Sequence, residues 1–365
     1  MGEYLLGIDI GTSACKVAVF EKSGTVVAAA NGDYPVYYPK EGWAEQNPEE
    51  WWSAVCQAVK KVIEKAGIQP EEIAGIGIDG QSWSAIAMDK DGNVLTNTPI
   101  WMDTRAQSIC DRLNEEIGAD KIFEVSGNSL QPSYTTAKIL WYKENLPEVY
   151  AKIDKILQSN SYIAYKLTGV MSQDVSQGYG LHCFDMRKAA WDEEMCKKLG
   201  IPMGFLPEIC DCDHVVGTVT EKAAEESGLA VGTPVVAGGL DAACGTLGAG
   251  VIHPGETQEQ HEELMDFVDQ MEFDRLGVFT YSPEEDTPAA SMPDQIPEEV
   301  KEERRDEIME LQQEISFDKG NDRIGQEVLV MIEGKVSGES AYIGRTYGDA
   351  PKVDGYIFVQ TGELL

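Results

Sequence analysis

The sequence predicts a mixed α/β fold in which antiparallel strands precede helices, followed after residue 260 by an acidic helical stretch and a small all-β segment. Three observations carry this. Apolar residues alternate along the first 30 residues, the apolar period lengthens to the helical three-to-four spacing from Asn47, and the composition changes abruptly near residue 260. All eight cysteines and all seven tryptophans lie before that point. Residues 260–365 hold 26 acidic and 9 basic side chains against 37 and 20 in residues 1–259, so each part carries −17 on very different lengths.

The elements follow in order. In YLLGIDIGTSACKVAVFEKSGTVVAAA, Leu6, Ile8 and Ile10 alternate ahead of a GTS turn, Val17 to Phe20 form a second strand, and a third begins at Val26 after an SG turn. NPEEWWSAVCQAVKKVIEKAG predicts an amphipathic helix capped by Asn47, with Pro48 in its first turn, Trp52, Val55, Val59, Val62 and Ile63 on one face, and Gly67 as its stop. IAGIGIDG and the stretch from SAIAMD to NTPIWMD read as further strands. Helices are expected over 106–116 and 136–144, and a second β-rich section ends in TPVVAGGLDAACGTLGAG. Beyond residue 260, HEELMDFVDQM reads as a helix with a Leu264, Phe267, Val268 and Met271 stripe. LGVFTYS reads as a buried strand, EEDTPAASMPDQIP as a Pro-rich loop, and IPEEVKEERRDEIMELQQEIS as a long charged helix with Val300, Ile308, Leu311 and Ile315 inward. Three strands of a small β-barrel follow from Ile324.

The formal net charge of −34 argues against general attraction to nucleic acid or anionic lipid, both of which are negative themselves. The N-terminus has no basic region followed by an apolar one, and no segment approaches the roughly 20 apolar residues that span a bilayer. A cytoplasmic protein with reduced thiols is expected. Cysteine spacing supports no zinc site, because the only close pair in sequence is Cys210 and Cys212.

Two stretches could carry chemistry. Gly7-Ile8-Asp9-Ile10-Gly11-Thr12-Ser13 sets a carboxylate at a strand end before a small-residue turn, so turn amides could approach a phosphate and Asp9 could hold Mg²⁺ through water. The same residues also suit an ordinary hairpin turn. In Gly238-Gly239-Leu240-Asp241-Ala242-Ala243-Cys244-Gly245, Asp241 opens a small-residue helix. There it would stay ionised, aided by the helix N-terminus, and accept a proton from a substrate hydroxyl, or serve simply as an N-cap. Gly75-Ile76-Gly77-Ile78-Asp79-Gly80 satisfies G-x-G-x-x-G, but its glycines sit in an alternating strand with no helix after them, so a dinucleotide site is excluded.

GIDIGTSACKV, GWAEQNPEEWW, GIDGQSWSA, WMDTR, LTG followed by SQD, and VVAGGLDAACGTLGAG, in this order between Tyr4 and Gln258, resemble the FGGY carbohydrate kinases and among them the xylulokinase-like members. The resemblance implies a ribonuclease-H-like, actin/hexokinase-type fold of two domains with ATP and sugar in the cleft between them. It implies nucleotide binding at Asp9, Gly11, Thr12 and Ser13, with Asp9 as the Mg²⁺ residue. It further implies Asp241 as catalytic base, Gln81, Ser82 and Trp83 as the sugar-contacting loop, and Asp103 and Arg105 near that pocket. Asp103 and Arg105 also read as a surface ion pair. Xylulokinases carry a His where this chain has Trp83, which could stack on a sugar's apolar face or fill space. Pentulose, hexulose and polyol substrates all remain open.

From about Gln260 the sequence resembles a different family. HEELMDFV, FDRLGVFTYSPEEDTPAASMPDQIP, KEERRDEIMELQQEIS and the segment after Ile324 are similar to the C-terminal part of the radical-SAM methylthiotransferase that modifies a ribosomal protein, ending in a partial, OB-like TRAM domain. That resemblance implies contact with RNA or a ribosomal protein. No iron–sulfur cluster is expected, since C-x-x-x-C-x-x-C is absent and no cysteine follows Cys244. The expected organisation is a first kinase domain over 1–238, the start of a truncated second over 239–259, a methylthiotransferase segment over 260–318 and a partial TRAM domain over 319–365. GETQEQ, common to both families' patterns, is the expected seam of a chimera. The expected activity is phosphorylation of a sugar or polyol, impaired by truncation. The alternatives are an RNA- or ribosomal-protein-binding fragment and a chimera without selected function.

Overall fold

Alternation at the N-terminus has the consequence that pleated geometry demands. In the computed structural model, which describes residues 2–248, 257–273, 276–278, 280, 295–322, 324–336, 341–346 and 357–360, strand β1 (Tyr4–Ile10) buries Leu6, Ile8 and Ile10 on one face. Strands β2 (Ala14–Glu21) and β3 (Val26–Asp33) follow antiparallel, each joined by a short turn. Helix α1 (Pro48–Ala66) packs on β2 and β3. Asn47 accepts the Glu49 N–H at 3.1 Å, and Gly67 closes the helix at a φ of 66°. The expected stripe is buried, together with Trp51, which is fully enclosed.

Strand β4 (Ile73–Gly80) runs parallel to β1, the pairing that the α1 crossover permits. Strands β5 (Val215–Thr218), β6 (Pro234–Val236) and β7 (Gly239–Leu240) complete the sheet. Among the described residues it has seven strands, ordered β5-β6-β4-β1-β2-β3, with β7 also paired to β4. Gly239 and Leu240, expected to open a second domain, thus extend the first sheet instead, because their backbone pairs with Asp79 and Gly80. A second core gathers Ile109, Leu113, Ile122, Ile139 and Tyr142 from the helices beside the sheet, including α2 (Thr135–Asn145). The helix expected over 106–116 ends at Leu113, widens over 114–118 and resumes as Ala119–Ser126.

Contacts divide the chain into two compact units, Met1–Ala243 and Cys244–Leu365. In the second, helix α3 (Gln258–Met271) begins with a capping box between Thr257 and Gln260. It packs on helix α4 (Glu298–Asp322) through Val268, Ile308 and Ile315, with Leu264 and Leu311 partly buried beside them. His261, 1% exposed, places Nε2 at 2.6 Å from the Glu307 carboxylate. Leu276 and Val278 pack on this pair without forming the expected strand; Phe279, Tyr281, Ser282 and most of the Pro-rich loop lie outside the described residues. The three expected β-strands, Met331–Lys335, Ala341–Arg345 and Ile357–Gln360, form a three-stranded antiparallel sheet among the described residues. No described helix is long and apolar enough to cross a membrane.

Candidate active site

Strands β1 and β4 carry the same tripeptide, Gly7-Ile8-Asp9 and Gly77-Ile78-Asp79, and they pair in register, Ile8 with Ile78 and Asp9 with Asp79. Alternation sends both isoleucines into the core and both carboxylates to the other face. Because Gly239 pairs with Asp79, the chain delivers Asp241 to the same sheet end, as the first residue of the helix Asp241–Gly248. That delivery depends on Gly238. Its φ is +73°, and a Cβ there would stand 1.7 Å from the Ile78 carbonyl oxygen, so no other residue allows the turn between β6 and β7.

The crowding of carboxylates at this sheet end shifts Asp79 and Asp241. Burial, then the charge of Asp9 and a hydrogen bond to it, then the charge of Asp241, hold Asp79 well above the ordinary carboxylate range. Burial also raises Asp241, and the Asp9 charge adds to this; the Ala242 N–H at 2.7 Å, Lys16 and the Ser82 hydroxyl oppose it. At Asp241 desolvation outweighs the one N–H donor. Lys16 Nζ, 3.6 Å from Asp9 Oδ2, is the nearby counter-charge. Asp79 escaped the sequence reading, which took 75–80 only as a strand; the repeated Gly-Ile-Asp was the available signal.

The raised Asp79 carries a stability prediction. Its folded pKa lies above its unfolded one, so the folded state binds more protons between the two, and stability falls as pH rises through that window. Asp79→Asn should flatten the decline in melting temperature as pH rises above the ordinary carboxylate range. Superimposable thermal profiles for both proteins would contradict the carboxylate cluster.

The Gly11–Ser13 turn is braced from inside. The Gly11 carbonyl accepts from the Tyr34 hydroxyl at 2.7 Å and from Gln81 Nε2 at 3.1 Å, and the Thr12 carbonyl accepts from Gln46 Nε2 at 2.7 Å. Gln81 Nε2 also donates to Gln46 Oε1 at 2.9 Å. Gln81, expected to touch a sugar, is 1% exposed and spends its amide on this brace. Trp101 Nε1 donates to Thr12 Oγ1 at 3.0 Å on the more open side. Within the turn the Gly11 N–H donates to the Ala14 carbonyl at 3.1 Å, and Thr12 and Ser13 stay partly exposed.

Ser82 reaches Asp241, and Trp83 follows it at a φ of 63°, a left-handed conformation that costs a bulky residue about 1–3 kcal/mol. The Trp83 ring stacks on Tyr134 with centroids 4.1 Å apart and meets Tyr179 edge-on at 5.9 Å, while Tyr134 meets His182 at 5.0 Å. Burial pushes the Tyr179 hydroxyl up to about 12, and the charge of Asp241 contributes, which ties this aromatic wall to the carboxylates. No sequence motif marked Tyr134, Tyr179 or His182.

Asp103 and Arg105 are not a surface pair. Their side chains are 0% and 3% exposed. Arg105 Nε lies 2.9 Å from both Asp103 oxygens, its Nη2 lies 2.9 Å from Glu45, and its guanidinium sits 3.9 Å over the Trp43 ring and 4.9 Å from that of Trp141. Asp103 Oδ2 also accepts the Ala44 N–H at 2.7 Å. The pair is an interior clamp between segments 43–46 and 100–105.

Comparison with known proteins agrees with this geometry. Residues 4–248 match the N-terminal domain of the FGGY family of carbohydrate kinases, and residues 324–365 match the TRAM domain. The chain is 33% identical over 255 residues to the xylulose kinase of Bacillus subtilis (strain 168), covering 70% of this chain and 51% of that protein. It is 31% identical over 221 residues to the glycerol kinase of Thermococcus gammatolerans, covering 60% and 45%. Among solved structures, the xylulose kinase from Rhodospirillum rubrum superposes with a TM-score of 0.66 at 27% identity, over 69% of this chain and 52% of that one. Ligand-bound xylulose kinase from Lactobacillus acidophilus gives 0.65 at 27%, over 69% and 51%. These neighbours are sugar kinases of the actin/hexokinase-like fold, and the chain spans about half the length of the curated relatives it matches. By its fold, its sheet-end carboxylates and the family match over 245 of its residues, the chain belongs to the FGGY family of carbohydrate kinases.

Proposed function

We propose that residues 1–248 form the acceptor-binding half of an ATP-dependent kinase that phosphorylates a sugar or polyol hydroxyl. The observation that carries this reading is the convergence of Asp9, Asp79 and Asp241 on neighbouring strand ends beside a turn braced through its carbonyls. A divalent cation fits Asp9 and Asp79: the Asp9 side chain is 32% exposed, and Asp79 Oδ1, though buried, has no hydrogen-bond partner among the described residues. Mg²⁺ held there would neutralise phosphate charge. Asp241 takes the hydroxyl proton, a role that its raised pKa favours, because a base nearer neutrality drives proton transfer further. Ser82 orients that carboxylate, the partly exposed Thr12 and Ser13 face phosphate, and the Trp83–Tyr134 wall packs the acceptor's C–H face.

Calorimetric titration with D-xylulose, hexuloses and glycerol tests the acceptor half directly, and saturable binding of at least one is expected. Turnover with ATP by the 365-residue chain is expected far below that of full-length relatives. Alignment of the reacting groups is worth about 7–11 kcal/mol, and the match covers about half the length of the curated relatives. Absence of binding to all these acceptors would sink the proposal.

We also propose that residues 324–365, which match the TRAM domain, contact RNA or a ribosomal protein, and that residues 260–365 derive from a methylthiotransferase joined within GETQEQ. Binding that weakens steeply with salt would support the RNA arm.

A further inference from the structure

The loop from Gly80 to Ala85 is held from behind by one helix. Thr135, Lys138 and Tyr142 stand at i, i+3 and i+7 on α2, all at most 1% exposed. Thr135 Oγ1 donates to the Ser84 carbonyl at 3.1 Å, Lys138 Nζ to the Trp83 carbonyl at 2.8 Å, and the Tyr142 hydroxyl to the Ala85 carbonyl at 2.9 Å. Lys138 does more than its neighbours. Its ammonium also donates to the Ile100 carbonyl at 2.8 Å and to that of Ser133, so its three protons meet three backbone oxygens from three segments. Each of these residues is or adjoins an aromatic of the site: Trp83 itself, Trp101 after Ile100, and Tyr134 after Ser133.

A fully buried lysine is rare and persists only when its charge is answered. Here the answer is three carbonyl dipoles, with Asp103 nearby favouring the charged form against the burial that pushes the group down to about 7. Trp83 needs an external restraint, since a tryptophan at positive φ relaxes unless its surroundings forbid it. Its other backbone tie is the N–H donated to Gln158 Oε1 at 3.2 Å, and Gly180 lies close enough under the ring that a Cβ there would come within 2.6 Å of it.

We propose that Lys138 is a positioning residue for acceptor recognition: its ammonium fixes Trp83 in the left-handed conformation and holds the Trp83, Trp101 and Tyr134 segments as one wall. The proposal rests on the reading of that wall as the acceptor pocket. Lys138 touches no reacting atom, and its effect on the acceptor runs through the Trp83 carbonyl.

A double-mutant cycle on the full chain tests it. Glycine adopts positive φ unaided, so in a Trp83→Gly background Lys138→Met should lower the melting temperature by less than half as much as it does in the wild type. Equal losses in the two backgrounds overturn the coupling. Should Lys138→Met fail to fold, Lys138→Gln, which keeps two donors, enters the same cycle. It should also lose the near-ultraviolet circular dichroism of the stacked Trp83–Tyr134 pair and raise the acceptor dissociation constant by at least about tenfold. An unchanged spectrum and affinity overturn the positioning role. Wild-type protein that binds no acceptor sinks the kinase reading alone, and the thermal cycle then still decides what Lys138 does.

Discussion

Asp241→Asn is expected to lower phosphoryl transfer by about 10²–10⁴-fold while leaving acceptor affinity unchanged. The amide is nearly isosteric and can still accept the Ala242 N–H that the carboxylate accepts at 2.7 Å, so the sheet end keeps its shape. What disappears is the proton acceptor. Wild-type rates should fall on the acid side with a limb displaced upward from the ordinary carboxylate range, because burial and the Asp9 charge both favour the protonated form of Asp241. The sign is fixed by the role: a general base works only when deprotonated, so a raised pKa moves the loss of activity toward neutral pH. Initial rates of ADP formation with a bound acceptor, compared across pH, measure both effects. A variant with wild-type turnover, or a wild-type limb at or below the usual carboxylate range, would remove Asp241 from the reaction.

How much of this could be seen in the sequence depended on how local each signal was. The alternation of Leu6, Ile8 and Ile10 and the Trp52–Ile63 stripe of α1 are written in consecutive residues, so strand, helix and caps are all legible there. The Gly11–Ser13 turn and Asp241 were legible for the same reason. Asp79 was not, because its meaning arises from parallel pairing with β1 across a crossover of some 60 residues, which no window of sequence contains. The brace role of the Gln81 NH₂ group was not legible, because its partners, Gln46 and the Gly11 carbonyl, are remote in sequence. Lys138 left no trace at all, since lysine on a helix ordinarily signals an exposed face, and here three carbonyls from separate segments override that rule. The LGVFTYS stretch failed the other way. Its apolar run fits a strand, yet Leu276 and Val278 are taken up by the helix pair and the described residues offer them no sheet partner.

Arg105→Ala is expected to cost about 3–5 kcal/mol of stability, as for a buried ion pair broken from one side. A surface pair would lose only about 0–1 kcal/mol. The difference rests on the fate of Asp103, which is 0% exposed and would keep hydrogen bonds from only the Ala44 and residue-105 backbone N–H groups, with Lys138 as the nearby cation. The rings of Trp43 and Trp141 would lose the guanidinium between them as well. Arg105→Lys should rescue little, because an ammonium cannot reproduce the fork that reaches Asp103 and Glu45 together or the flat contact with indole. Urea titration at constant m-value gives the loss as a shift in midpoint. The double variant Asp103→Asn/Arg105→Met should be more stable than Arg105→Ala alone, since it leaves no buried carboxylate stripped of its guanidinium. If instead Arg105→Ala keeps the wild-type midpoint and loses acceptor affinity, the guanidinium belongs to the ligand and the interior clamp is the wrong description of it.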